Sequence, residues 1–312
     1  MKSRSYSSVL RAGLGLYTGQ FRRIFRSTWV TALVYSLLCG AAGTASLIYW
    51  PSLISKILQH LPTAVDFEQE YMQLLCTICT LVLLAFLGNI VFYAYGYQLL
   101  KQHQQTGSIP TRPRMFHWEG RMIWRTFKMT CCHMLLGGIA YGLVAAFIYY
   151  RRDMLTAPQD HIVPLVTALI LLITMSSALL PTLYTSTKYL MSDNTGFWTT
   201  LLRNYQFGFF RWGYIFVIVV ATLLLLTLFS CVMDIPQFII SQANWAARMG
   251  VVGGDPLGMP SYMTALTFAT SAVTAFIQSY IWLTACFVLY YMYGAIDQRE
   301  AEKQQAKNKY NV

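Results

Sequence analysis

Six long stretches of the chain carry no formal charge. They lie between Arg26 and Lys56, Glu70 and Lys101, Lys128 and Arg151, Asp160 and Lys188, Arg211 and Asp234, and Asp255 and Asp297, and each runs 22 to 41 residues. About 20 predominantly apolar residues carry a helix across the hydrocarbon core of a bilayer, so each stretch has room for one span. The pattern predicts an all-α polytopic membrane protein, with six transmembrane helices in three hairpins and interfacial amphipathic helices beside them. The expected spans are 28–50, 72–100, 129–150, 162–183, the apolar part of 203–229, and 261–296. Pro51 is expected to close the first span. Pro181 is expected to kink the fourth, with Ser177 satisfying a freed carbonyl. Gly138, Gly142 and Ala146, at four-residue steps, would let two helix backbones approach closely. After the fifth span, residues 235–260 read as a helical segment followed by a Gly and Pro loop.

The polar remainder has its own pattern. Three short basic-aromatic sequences, RRIFR ending at Arg26, RMIWR at Arg125 and FGFFR at Arg211, each precede a span that starts from the same side. The returning spans echo one another through YAYG at Tyr93 and YMYG at Tyr291. Tyr95 precedes Gly107 by 12 residues, as Tyr184 precedes Gly196. These correspondences divide a single membrane domain, 1–312, into a loose repeat of 1–110, 111–196 and 197–312. In the first unit Phe21, Ile24 and Phe25 share one helical face among arginines. That suits a helix lying in the interface plane, and equally the ordinary positive flank of a first span.

An aromatic-basic segment before each such span, three hairpins, and a last span running into the charged tail YGAIDQREAEK resemble the six-span membrane domain of bacterial glycerophosphodiester phosphodiesterases and its stand-alone relatives. The resemblance implies a six-helix fold with cytoplasmic termini in a lipid-related setting. It implies no catalytic residues, because the phosphodiesterase chemistry of such proteins belongs to a separate soluble domain.

Composition strengthens the membrane reading: 56% of residues are apolar and 11% charged, against about 25% charged in soluble domains. Charge also sets orientation. Of the 23 Lys and Arg, 19 fall in the N-terminal arm, the second and fourth connections and the C-terminal tail. The alternate connections hold Lys56, Arg151, Arg152 and Arg248. Basic loops stay inside, which predicts that both termini are cytoplasmic, and the resemblance implies the bacterial inner membrane. The net charge of +11 then reflects topology and contact with anionic headgroups, worth about 1 kcal/mol per well-placed cation. Cations spread through short loops beside spans are not a nucleic-acid footprint. No cleavable signal is expected, since the first apolar run follows a long basic arm and is too long for a signal core.

Site chemistry is sparse. Cys76 and Cys79 belong near the outer end of the second span, whereas Cys131, Cys132 and His133 open the third at its inner end, on the order of 20 Å away. No metal centre is expected, and the cysteines read as apolar membrane residues. His60 and His161 fall outside, His103 and His117 inside, so no histidine cluster forms either. The Gly-rich VVGGDPLGMP lacks the Lys and following helix of a phosphate loop.

Two sets of residues remain. Thr264, Thr267, Ser271, Thr274 and Gln278 recur at steps of three and four and share one face of the sixth span. With Asn89, Thr174 and Ser177 they would line a polar cavity, or else bond neighbouring helices together at about 0.6 kcal/mol per contact. Arg22, Arg23, Arg26, Arg121, Arg125, Lys128, Arg203 and Arg211 would hold lipid phosphates or dock a cytoplasmic protein partner. No expected span interior holds Asp, Glu, Lys or Arg, which disfavours an ion-coupled carrier. No paired carboxylates, histidine cluster or activated nucleophile points to catalysis, and no cofactor is implied. The sequence therefore predicts a protein that binds or accommodates lipid or an apolar substrate without catalysis of its own. The alternative is a transport component, either a passive transporter or a permease subunit served by a separate ATPase.

Overall fold

The computed structural model describes residues 5–59, 69–110, 119–150, 162–193, 196–252 and 260–310. Eight helices and no strand occur among them: α1 Tyr6–Gly19, α2 Phe21–Gln59, α3 Gln69–Thr106, α4 Gly120–Tyr150, α5 Ile162–Met191, α6 Phe197–Phe209, α7 Trp212–Val252 and α8 Tyr262–Tyr310. Six of them, α2, α3, α4, α5, α7 and α8, are long and apolar enough to cross a membrane. The short helices α1 and α6 precede α2 and α7.

The helix breaks differ from those expected. RRIFR does not form a separate interfacial helix. The chain breaks at Gly19 and Gln20, and Arg22, Arg23 and Arg26 occupy the first turns of α2. Arg121, Arg125 and Lys128 likewise open α4. Only FGFFR sits at the end of a short helix, α6, with the break at Phe210 and Arg211. Pro51 does not close the first span: α2 continues to Gln59. The segment expected as a separate helix after the fifth span continues α7 through Pro236. A proline removes one backbone donor, and a long helix whose other bonds persist absorbs that loss as a bend. The sixth span and the charged tail are also one helix, α8.

The last helix is the centre of the bundle. It packs against α1, α2 and α7 along much of its length and touches α3 and α5. Gly40 of α2 meets Ala272 of α8 so closely that a Cβ there would lie 2.9 Å from the Ala272 methyl and 3.1 Å from the Phe268 carbonyl. Gly13 of α1 lies against the Val288 backbone in the same way. Around Tyr280 an aromatic cluster of Tyr17, Phe21, Phe25, Phe92 and Phe276 fills the junction. The Tyr17 hydroxyl donates to the Tyr280 carbonyl at 2.7 Å. Burial raises the Tyr17 pKa well above its ordinary value, keeping that donor protonated.

The exterior is apolar. Leu83, Leu135, Ile173 and Leu224 are each more than half exposed, an arrangement lipid solvates and water does not. Packing is tightest at the basic end. Toward the other end, residues 75–84 of α3 and much of 134–150 of α4 are exposed on most sides, while α4 and α5 stay paired through Ala140, Val144 and Ala168. The Gly138, Gly142 and Ala146 stripe brings no second helix close: no neighbouring atom lies within 4 Å of a Cβ built at either glycine, and Gly142 and Ala146 are exposed. The close approaches fall on other glycines because a four-residue repeat says nothing about which face meets a neighbour.

Candidate functional site

The polar face of α8 meets a polar stripe on α7. Asn244 Nδ2 donates to Thr267 Oγ1 at 2.7 Å, and Gln237 Nε2 donates to Ser271 Oγ at 2.8 Å. Ser230 Oγ donates to Gln278 Oε1 at 2.8 Å, while Gln278 Nε2 returns a bond to the Ser230 carbonyl at 3.1 Å. Ser230, Gln237 and Asn244 are seven residues apart, two helical turns each, so antiparallel packing brings every one opposite a polar residue of α8. Three of the five seam residues are thereby engaged between helices. Thr274 is buried beside an apolar groove of about 330 Å³ that Val232, Pro236 and Thr270 also line, and Thr264 is exposed. Thr174 is exposed, its hydroxyl donating to Ile170 of its own helix at 2.7 Å. Asn89 is half-buried on α3, which takes no part in the ladder.

Ser177 has a different place from that expected. Its hydroxyl donates to the Thr174 carbonyl at 2.8 Å. The carbonyl that Pro181 leaves without a helical donor is Ser177's own, and the Trp212 indole Nε1 donates to it at 3.0 Å. Tyr205 of α6 donates to the adjacent Ala178 carbonyl at 3.0 Å. Gly208 of α6 packs on Pro181, where a Cβ would lie 3.2 Å from the proline ring. The carbonyl that Pro181 frees is therefore satisfied by the α6–α7 elbow.

The eight cations divide by surroundings. Arg22 and Arg26 are exposed, and Arg23 donates to the Ile109 carbonyl at 3.2 Å. Arg125 is buried, stacked 4.2 Å over the Tyr189 ring and bonded to the Tyr189 carbonyl, while Arg121 donates to the Asp193 carbonyl at 2.7 Å. Both arginines cap the C-terminus of α5, where the helix dipole is negative. Lys101 of α3 pairs with the Asp193 carboxylate. That hydrogen bond holds the Asp193 carboxyl below its ordinary range, opposed by desolvation and assisted by the charges of Lys101, Arg121 and Arg125. Lys128 lies 5.7 Å from the Phe197 ring centre and 5.9 Å from that of Tyr189. Arg211 pairs with Glu300 of α8. Arg203 is exposed on α6.

Several polar residues outside those two sets have partners here. Asp297 of α8 accepts from Tyr184 at 2.6 Å and from Lys188 at 3.1 Å. His133 Nε2 lies 3.1 Å from both Thr182 Oγ1 and Ser186 Oγ. Asp234 interrupts the apolar run of α7 without ending it; 22 residues from the helix start it lies ~33 Å along the axis, near the far edge of a ~30 Å core. Among the described residues no three His, Cys, Asp or Glu side chains gather as a metal set. Cys76 and Cys79 are exposed on α3, and Cys131 and Cys132 are half-buried on α4.

An apolar groove of about 340 Å³ runs between α4, α5 and α6, lined by Ile139, Leu143, Met175, Ala178, Leu202 and Tyr205 among others. Lys128 is on the same side of α4, two to four turns nearer the basic end.

Six spanning helices with a lipid-solvated exterior make this an integral membrane protein of the helical polytopic class. Compared with families of proteins, with characterised proteins and with solved structures, the chain matches none.

Proposed function

We propose that the protein accommodates lipid within the bacterial inner membrane, with both termini cytoplasmic and no catalysis of its own. The observation that carries this reading is the groove between α4, α5 and α6. Its volume of about 340 Å³ falls at the lower end of ligand pockets, which run about 300–1,000 Å³. Its lining is almost wholly apolar, as an acyl chain requires. Lys128, among the Trp124, Tyr189 and Phe197 rings, supplies a cation at the interfacial level where a headgroup phosphate would lie. The aromatic packing about Tyr280 fills the basic end of the bundle and favours accommodation over passage. The resemblance to a six-span lipid-related domain agrees with this assignment.

The test is native mass spectrometry of the protein extracted gently from its own membrane. The wild type is expected to retain a lipid, and Ala178→Phe, which fills the groove, is expected to lose it while keeping its thermal midpoint within a few degrees. Lys128→Gln is expected to reduce retention of anionic lipid selectively. A wild type that retains no lipid, or a folded Ala178→Phe that retains as much, would overturn the reading.

A further inference from the structure

On the other side of α6 lies an open cavity of about 590 Å³, bordered by α5, α6 and the part of α8 beyond Ile296. Its walls are charged where those of the first groove are apolar. Lys188 comes from α5, Arg203 and Asn204 from α6, and Asp297 and Glu300 from α8. Most of these charges already have partners. Lys188 pairs with Asp297 at 3.1 Å, and Glu300 pairs with Arg211. Arg203 makes no ion pair or hydrogen bond among the described residues, so it is the one cation of these walls without a partner there. Thr199 and Thr200 also border the cavity. The first turn of α6 opens there behind Gly196, which offers its backbone N–H groups no side-chain cap.

We infer that this cavity binds a phosphate ester carrying an ammonium or hydroxyl donor, independently of the groove beyond α6. The unpartnered Arg203 matches one phosphate anion, and its guanidinium fork suits the oxygens bidentately. Asn204 adds an amide donor at the same wall. Asp297 and Glu300, on the facing wall, keep their Lys188 and Arg211 partners and accept in addition from the donor at the ligand's other end. A simple anion would engage Arg203 and leave the facing wall unused, and a simple amine would leave Arg203 unmatched. The chemistry is that of phosphoethanolamine, whether free in solution or as a lipid headgroup.

Hydrogen exchange of amides 196–204 tests this and separates the two sources. In phosphatidylcholine nanodiscs, titration with ethanolamine phosphate is expected to protect these amides saturably, and more tightly than inorganic phosphate does. If the source is a headgroup, protection appears instead on moving to phosphatidylethanolamine nanodiscs with nothing added. In either case Arg203→Ala is expected to weaken the effect at least about tenfold, equivalent to ~1.4 kcal/mol, with Arg203→Lys between the two. Arg203 is exposed, so neither substitution disturbs folding. Absence of protection under both conditions, or equal protection in Arg203→Ala, would overturn the inference.

Discussion

The Trp212 indole donates to the Ser177 carbonyl, the acceptor that Pro181 strips of its own helical partner, across 3.0 Å. A proline kink in a membrane helix leaves a backbone oxygen with no water to satisfy it. Here the first residue of α7 supplies the donor, so the proline site of α5 and the elbow between α6 and α7 are joined.

This coupling has a thermodynamic signature. Trp212→Phe keeps the ring and removes the donor, and is expected to lower stability by about 1–3 kcal/mol, the cost of an unsatisfied buried acceptor. In a Pro181→Ala background residue 181 regains its N–H and bonds Ser177, so the same substitution is expected to cost less by about 1 kcal/mol. Thermal unfolding of the four proteins in one detergent measures the coupling, and additive effects would show that the indole bond is incidental.

The α7–α8 ladder is expected to act in assembly of the bundle. Double-mutant cycles joining Asn244→Leu with Thr267→Val, and Gln237→Leu with Ser271→Ala, are expected to give about 0.6 kcal/mol and no more than about 1.7 kcal/mol per rung. Lipid retained in the native mass spectrum is expected to be unchanged in all of them. Loss of retention at unaltered stability would instead make the seam a lining surface, as Thr274 already is for the small groove beside Pro236.

Acid is expected to loosen the basic end. Lys101 holds the Asp193 carboxyl below its ordinary range, so the folded state binds that proton less readily than the unfolded chain. The resulting stabilisation is complete above the unfolded carboxyl pKa and disappears as pH falls through the lower folded value. Because Asp193 is half exposed, solvent screening keeps the effect small. The thermal midpoint of the wild type is expected to exceed that of Asp193→Asn at pH 7 and to converge with it toward pH 3. A difference independent of pH would trace the effect of the substitution to packing.

The six spans were legible along the chain because a bilayer imposes a length and polarity that local sequence must meet by itself. The polar face of α8 was legible for the same kind of reason: steps of three and four define a face whatever packs against it. Even the partner stripe of Ser230, Gln237 and Asn244 has a period visible in the sequence. Only packing decided that the two faces meet, since helices in lipid find their neighbours by shape and by sparse hydrogen bonds rather than by hydrophobic drive. Pro51 read as the end of a span because one lost donor is a local fact, whereas the continuity of α2 through Pro51, and of α7 through Pro236, depends on everything around them. Lys188, Asp297 and Glu300 stand up to 112 residues apart and form one charged cavity only once α8 runs through the middle of the bundle. The sequence alone determined that the chain lives in a membrane and where it crosses. Which polar groups share a cavity was decided by tertiary structure, because proximity across helices is set by packing.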